Sequence, residues 1–296
     1  MALVSMGPML KRARAQGYGI AAYNMIDYNS ARAVVEGAQA LDAPVIVQVS
    51  VKTVKHWGYT PIAHWVRDLA ATVDVPVALH LDHCTDLDVL RRCIDAGWTS
   101  VMFDGSSLPF EENLDKSLKA YAMTEQAGVG LEAEIGAIGG VEDDKHVNED
   151  EARLANFDEC VRFVRDMPNL AVFAPAIGTA HGMYKGEAKI AYDLLERITA
   201  SISIPIALHG GTGLTEEQFH RCIAGGCAKV NISTMHKMLY VNSFVELKQQ
   251  KPKLEEPLSF IAAQYEAMKE DVKSVIRIFG SAGKAADARA AATQRP

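Results

Sequence analysis

The strongest constraint in this sequence is a recurrence: eight short, apolar, β-branched runs separated by stretches of helical periodicity. The runs are Gly19–Asn24, Pro44–Ser50, Pro76–His80, Ser100–Asp104, Gly130–Ile135, Leu170–Ala176, Pro205–His209 and Ala228–Ile232, and they read as strands buried on both faces. Between them Ser30–Leu41, Ile62–Thr72, Asp86–Ala96 and Glu216–Ala224 carry helical patterns, and glycine follows several, as at Ala96-Gly97 and Gly225-Gly226. Glycine there is a helix stop signal. Strict alternation of strand and helix predicts a parallel sheet, and eight units predict an α/β fold closed into a (β/α)₈ TIM barrel. An open doubly wound sheet is the alternative, but it normally uses fewer strands.

A repeat supports closure. Val75–His80 (VPVALH) is echoed by Ile204–His209 (IPIALH), Arg92-Cys93-Ile94 by Arg221-Cys222-Ile223 and Gly97 by Gly226, all at one offset of 129 residues. The offset carries the third strand to the seventh and the fourth to the eighth, half a barrel away. The 296 residues suit one barrel domain over 1–296, since such barrels take ~250 residues. Residues 235–285 read as a helical closing and extension segment, with helical patterns at Tyr240–Leu247, Leu258–Tyr265 and Asp271–Ile278. Residues 286–296, small and polar, read as a flexible tail.

Composition narrows the function classes. A net charge of -7 argues against nucleic acid as a partner, because phosphate-backbone binders need a basic face. No run reaches the ~20 apolar residues of a membrane helix, and Met1–Gly19 lacks the apolar core of a secretory signal. Five scattered cysteines without a C-x-x-C pair fit a reducing, cytoplasmic setting.

In such a barrel, chemistry sits at the C-terminal ends of strands. Polar residues gather there: Asn24, Ser50, Asp82, His83, Asp104, Glu132, Glu134, His181, His209, Asn231 and Ser233. Of nine histidines, His83, His181 and His209 follow the third, sixth and seventh strands and converge if the barrel closes. Three imidazoles with an open fourth position make a catalytic zinc site. Spacing leaves His80 and His83 equal as ligands, because the repeat aligns His80 with His209. Asp82 shares the inward parity of His80 and borders His83, so it suits a base or an orienting group. Glu132 and Glu134 also share parity, and two buried acids call for a cation; a buried lysine or arginine is the alternative, though the strands hold few.

Three loops offer backbone N–H groups and hydroxyls for a phosphate: Gly178–Gly186, with Gly182 and Lys185; His209–Gly213, with Gly210, Gly211 and Thr212; and Asn231–Thr234, with Ser233 and Thr234. Barrel enzymes frequently seat phosphate after strands seven and eight. Gly136–Asn156 is long, glycine-rich at its start and acidic, as a mobile lid carrying an acid is expected to be.

Taken in order, these segments resemble the class II, metal-dependent ketose-bisphosphate aldolases, nearest the shorter fructose- and tagatose-bisphosphate aldolases. The likeness runs from about Tyr18 to Lys284 through Ala22-Tyr-Asn24, His80-Leu-Asp-His83, Phe103–Ser106, Leu108–Asn113, Glu132–Gly136, Gly139–Asp144, Gly178–Gly182, Tyr184–Gly186, His209–Gly213 and Phe279–Lys284. The resemblance implies His83 rather than His80 as zinc ligand, with His181 and His209, and Glu134 at an alternative metal position. It implies Asp82 as the acid/base for the hydroxyl at the cleaved bond and Glu142 as the lid acid acting on the donor carbon. Gly182, Lys185, Gly210, Thr212, Ser233 and Thr234 match the phosphate cradle, Asn231 the donor's oxygen end, and related enzymes add a monovalent cation (Na⁺ or K⁺). The implied activity is aldol cleavage of a phosphorylated sugar to dihydroxyacetone phosphate and an aldehyde, by a homodimer or homotetramer. One departure stands out: the family usually has an acid where this chain has Met235, which bears on the aldehyde half. Two other functions compete: a metal-dependent barrel hydrolase and a non-catalytic sugar-phosphate binding barrel.

Overall fold

The computed structural model describes residues 3–142, 145–147, 152–182 and 188–293. Its strands are β1 (Ile20–Asn24), β2 (Val45–Ser50), β3 (Val77–Cys84), β4 (Ser100–Phe103), β5 (Gly130–Ile135), β6 (Gly139–Glu142), β7 (Lys145–Val147), β8 (Val172–Pro175), β9 (Ala180–His181), β10 (Ile206–Leu208) and β11 (Cys227–Ile232). The helices are α1 (Met6–Gln16), α2 (Tyr28–Ala40), α3 (Val51–Trp57), α4 (Tyr59–Ala71), α5 (Leu87–Asp95), α6 (Phe110–Ala127), α7 (Phe157–Arg165), α8 (Tyr192–Ser201), α9 (Glu216–Ala224), α10 (Thr234–Gln250), α11 (Pro257–Ile278) and α12 (Ala285–Thr293). Eight strands close into a barrel in the order β1-β11-β10-β8-β5-β4-β3-β2, every pairing parallel. All eight expected strands are present, and the barrel replaces the open-sheet alternative.

Strand alternation divides the core in two. Outward residues such as Val45, Val47, Leu79, Leu81, Val101 and Leu131 pack against the surrounding helices. Inward residues near the strand starts, including Ile20, Ile46, Ala78 and Val172, form a separate apolar layer with Met6, Met9, Leu10 and Ala13 of α1. Helix α1 therefore plugs the N-terminal end of the barrel. Its i, i+3, i+4, i+7 spacing was legible in the sequence but was not among the expected elements. Further along the same inward faces the residues turn polar, with Asn24, Gln48, His80, Asp82, Glu132, Glu134, Lys229 and Asn231 all buried. The apolar floor and polar mouth place the chemistry at the C-terminal end.

Three elements differ from expectation. Strand β3 continues through Asp82 and His83 to Cys84 instead of ending at His80. The two helical patterns over Leu258–Ile278 are one helix, α11, begun by a Glu256 cap and a proline in its first turn, where proline's missing N–H costs nothing. The expected flexible tail contains α12, whose Ala285 and Ala288 are buried; residues 294–296 lie outside the described residues.

Candidate active site

The site is built on β3. This strand pairs with β4 at His80↔Ser100 and Leu81↔Val101, then slips to Cys84↔Phe103, so β3 carries one extra residue there. His83 takes up the slip at φ 47°, a left-handed conformation that costs a non-glycine residue roughly 1–2 kcal/mol. Alternation already points His80 and Asp82 inward; the bulge brings His83 to the same mouth. Its ring lies 4.6 Å from that of His209 and 5.0 Å from that of His181, centroid to centroid.

His181 arrives by a different route. It lies on β9, which belongs to a three-stranded sheet ordered β7-β6-β9 outside the barrel. The stretch expected to be a structureless lid thus contributes an antiparallel hairpin, β6–β7, whose Gly140 stands opposite His181. Glycine is required at this crossing: Gly140 has φ 106°, and a Cβ there would strike the His181 carbonyl. Gly210, at φ 67°, likewise packs against the Ala180 backbone with no room for a Cβ. The loops after β8 and β10 are thereby in contact.

Carboxylates fix the rings. His83 Nδ1 lies 2.8 Å from Asp104 Oδ2, leaving Nε2 to face His209 Nδ1 at 2.8 Å. On the far side of that ring, His209 Nε2 meets Glu132 Oε1 at 2.6 Å. Ser106 donates its backbone N–H and its hydroxyl to Asp104 Oδ1, at 3.1 and 2.6 Å, which orients that carboxylate in turn. One nitrogen each of His83, His181 and His209 lies within 4.8 Å of the others, and Glu134 forms a second such group with His83 and Asp104. His80 stands apart, bridging Ser100 and Glu132 beneath the mouth.

Asp82 is held by two side-chain amides: Asn24 Nδ2 donates to one oxygen at 2.9 Å and Asn231 Nδ2 approaches the other at 3.4 Å. Gln48 donates to Asn24 Oδ1 at 2.6 Å, and Lys229 to Asn231 Oδ1 at 2.6 Å. Ser50 stands beside Asp82 in the sheet register and caps α3. Lys229, which was not among the expected site residues, also lies 2.9 Å from Glu132 Oε2. For Glu132, then, the buried-lysine alternative is the one realised. The readable signal was a lysine at the same strand parity as Asn231.

Electrostatics follow burial, then partners. Burial opposes ionisation of Glu132, but Lys229 and the hydrogen bonds from His209 and His80 outweigh it and hold the carboxyl well below the ordinary range. Burial lowers His209 to about 4 against the upward pull of Glu132, and burial with Lys229 lowers His80. His209 is therefore neutral at pH 7, the form an imidazole needs to bind a metal.

The remaining expected residues surround this centre. Gly210, Gly211 and Thr212 follow β10, and Ser233 and Thr234 lie where β11 passes into α10. A Cβ on Gly211 would touch the Asn231 carbonyl oxygen at 3.2 Å, so these two segments adjoin. Ser233 Oγ is buried and, among the described residues, has no hydrogen-bond partner. Gly182 directly follows β9. Lys185 lies outside the described residues, as does the side chain of Glu142, whose backbone ends β6.

Residues 4–284 match the family model described as fructose-bisphosphate aldolase class-II. The chain belongs to the class-II fructose-bisphosphate aldolase family. A sulfofructosephosphate aldolase of Alkalicoccus urumqiensis is 36% identical over 285 residues, covering 96% of this chain and 99% of the relative. A fructose-bisphosphate aldolase of Staphylococcus epidermidis is 36% identical over 288 residues, covering 96% and 100%. Among solved structures, the YdjI aldolase of Escherichia coli K12 superposes with a TM-score of 0.83 at 26% identity, covering 96% and 99%. The protein is thus an aldolase, a carbon–carbon lyase of carbohydrate metabolism, which displaces the hydrolase and non-catalytic alternatives.

Class-II aldolases are in general metal-dependent, and the donor set here fits a metal. Two of the three converging imidazoles have their far nitrogen on a buried carboxylate, the outer-shell arrangement that fixes tautomer and ring angle in metal-bound histidines.

Proposed function

We propose that this class-II aldolase performs zinc-dependent cleavage and condensation of a ketose phosphate, giving dihydroxyacetone phosphate and an aldehyde. The observation that carries the reading is the meeting of the His83–His181–His209 group with an amide-clamped Asp82 at one barrel mouth. His83, His181 and His209 hold the metal, with Glu134 as an alternative ligand. Zinc bound there supplies Lewis-acid stabilisation of the negative charge that develops as the carbon–carbon bond breaks. Asp82, held by Asn24 and Asn231, takes the proton of the hydroxyl at the cleaved bond and returns it in condensation. Glu142 exchanges the proton on the donor carbon. Ser50 and Asn231 bind the donor's oxygens. Gly182, Lys185, Gly210, Gly211, Thr212, Ser233 and Thr234 hold its phosphate; the Ser233 hydroxyl, buried and without a hydrogen-bond partner among the described residues, supports this. A monovalent cation (Na⁺ or K⁺) accompanies the cradle.

The names of the two relatives share a fructose and a phosphate and differ at the substituent, one bisphosphate and one sulfo. The substrate is accordingly a small ketose 1-phosphate whose far terminus carries phosphate or another anionic group, and Met235 marks the aldehyde side. The enzyme works in the cytoplasm, which five cysteines without a disulfide support, and assembles as a homodimer or homotetramer. The test is a coupled assay over a panel of ketose 1-phosphates. Dihydroxyacetone phosphate is expected from at least one member, abolished by a chelator and restored by zinc. Failure with every member in zinc-replete protein overturns the reading.

A further inference from the structure

Lys229 has no role in the reaction just described, yet it is fully buried and touches both halves of the site. Its ammonium lies 2.6 Å from Asn231 Oδ1 and 2.9 Å from Glu132 Oε2. We propose that Lys229 is a positioning residue that keys the Asn231 amide toward Asp82 and holds Glu132 on His209, so that one buried ammonium sets both the substrate-facing donor and a metal-ligating ring. The proposal rests on the function proposed above for Asn231 and His209.

An ammonium group donates and never accepts. The atom of Asn231 beside Lys229 must therefore be its carbonyl oxygen, which leaves the NH₂ group 3.4 Å from Asp82 Oδ1 and from both His209 nitrogens. A flipped amide would set NH₂ against NH₃⁺ and a carbonyl against a carboxylate, two repulsive contacts at once. Gln48 keys Asn24 in the same way, by donating to its oxygen and turning its NH₂ to Asp82 at 2.9 Å. The difference is that Lys229 also carries the charge that Glu132 needs. Lys229 and His80 lie 2.9 and 3.1 Å from one oxygen of Glu132, and His209 lies 2.6 Å from the other. Without the ammonium, a fully buried carboxylate is left with two imidazoles, and breaking such a pair is strongly unfavourable. The ring of His209 is then no longer held at one angle.

Two variants separate the two functions of Lys229. Lys229→Met removes the ammonium while keeping the volume; the double variant Lys229→Met/Glu132→Gln also removes the stranded carboxylate. Zinc affinity is measured by competition with a chelator, melting temperature by calorimetry, and kcat and KM on zinc-saturated protein. Outer-shell changes typically cost about 10–100-fold in metal affinity or activity, so Lys229→Met is expected to lose at least about tenfold in both zinc affinity and kcat/KM. In the double variant, melting temperature and most of the zinc affinity return, because the amide oxygen of the introduced glutamine still accepts from His209. The kcat/KM stays low, because Asn231 has lost its key. Recovery of kcat/KM together with zinc affinity makes Lys229 a charge balancer only and overturns the proposal. So does wild-type behaviour of the single variant, or a double variant that binds zinc no better than the single one. If Lys229→Met fails to fold, the double variant decides alone by the same split. If the wild-type enzyme cleaves no ketose phosphate, the proposed function falls, while the zinc affinities still judge the hold on His209.

Discussion

At the scale of single residues, burial sets the titration behaviour of the interior and partners then correct it. His236 is the simplest case. Its ring is fully buried, packs on Tyr23 at 4.8 Å between centroids, and has neither nitrogen hydrogen-bonded among the described residues. Burial lowers its pKa to about 3. The unfolded chain takes up this proton near the ordinary histidine value of about 6.5, so stability is complete above that pH and is lost as pH falls toward 3. Between pH 7 and pH 5 the loss amounts to about 2 kcal/mol. Asp271, 4.0 Å away, is raised by burial against the hydrogen bond from Tyr23 and works in the opposite direction. Urea unfolding of His236→Phe at the two pH values is expected to show a smaller acid loss than wild type; equal losses would sink the assignment. Asp82 gives a second prediction at this scale. Asp82→Asn keeps the proposed metal donors but removes the proposed base, so kcat is expected to fall by about 10²–10⁴ with zinc content unchanged. A parallel loss of zinc would show that Asp82 acts on the metal site instead.

At the scale of elements, His181 depends on how two small loops are packed. Gly140 abuts the backbone of His181 and Gly210 that of Ala180, and neither has room for a Cβ. Gly140→Ala must therefore displace the backbone of His181. Zinc affinity is expected to fall by more than about tenfold, in line with outer-shell substitutions, while the melting temperature of the metal-free protein hardly moves, because β6 and β9 lie outside the barrel. Unchanged zinc binding in this variant would mean that β9 does not position the ligand. The same sheet joins β6, which ends at Glu142, to His181 through adjacent backbone. This link was invisible in the sequence, where Gly136–Asn156 read as an unpaired lid. A hairpin of three- and four-residue strands carries too little periodicity to be recognised without its partner.

At the scale of the whole molecule, the barrel covers its strands with helices, but α10 and α11 leave apolar side chains in solvent. Met238, Val241 and Val245 are exposed along one stripe of α10, and Leu258 and Ile261 on α11. Phe244 and Phe260 stack 5.9 Å apart across these two helices. An exposed apolar stripe of this kind is a candidate interaction face. Light scattering is expected to give a mass at least twice the 32.1 kDa of one chain, and Met238→Glu/Val241→Glu to shift it toward one chain. A wild-type monomer at micromolar concentration would refute assembly through this face.

The local pattern of the chain was sufficient for the barrel. Eight two-sided apolar strands alternating with helices have few ways to bury themselves, and their polar ends marked the mouth as the reactive end. Local pattern also exposed most of the site, because Asn24, Asp82, Glu134, His209 and Asn231 all lie within an apolar strand run or just beyond its end. It could not separate His83 from His80, since alternation favours His80. Family resemblance implied His83, and the structure brings it to the mouth through a one-residue bulge at φ 47°. Nor could spacing find Lys229 as the partner of Glu132, or a route for His181 outside the barrel. Those are contacts between residues far apart in sequence, decided by register and loop packing, and a one-dimensional pattern holds neither.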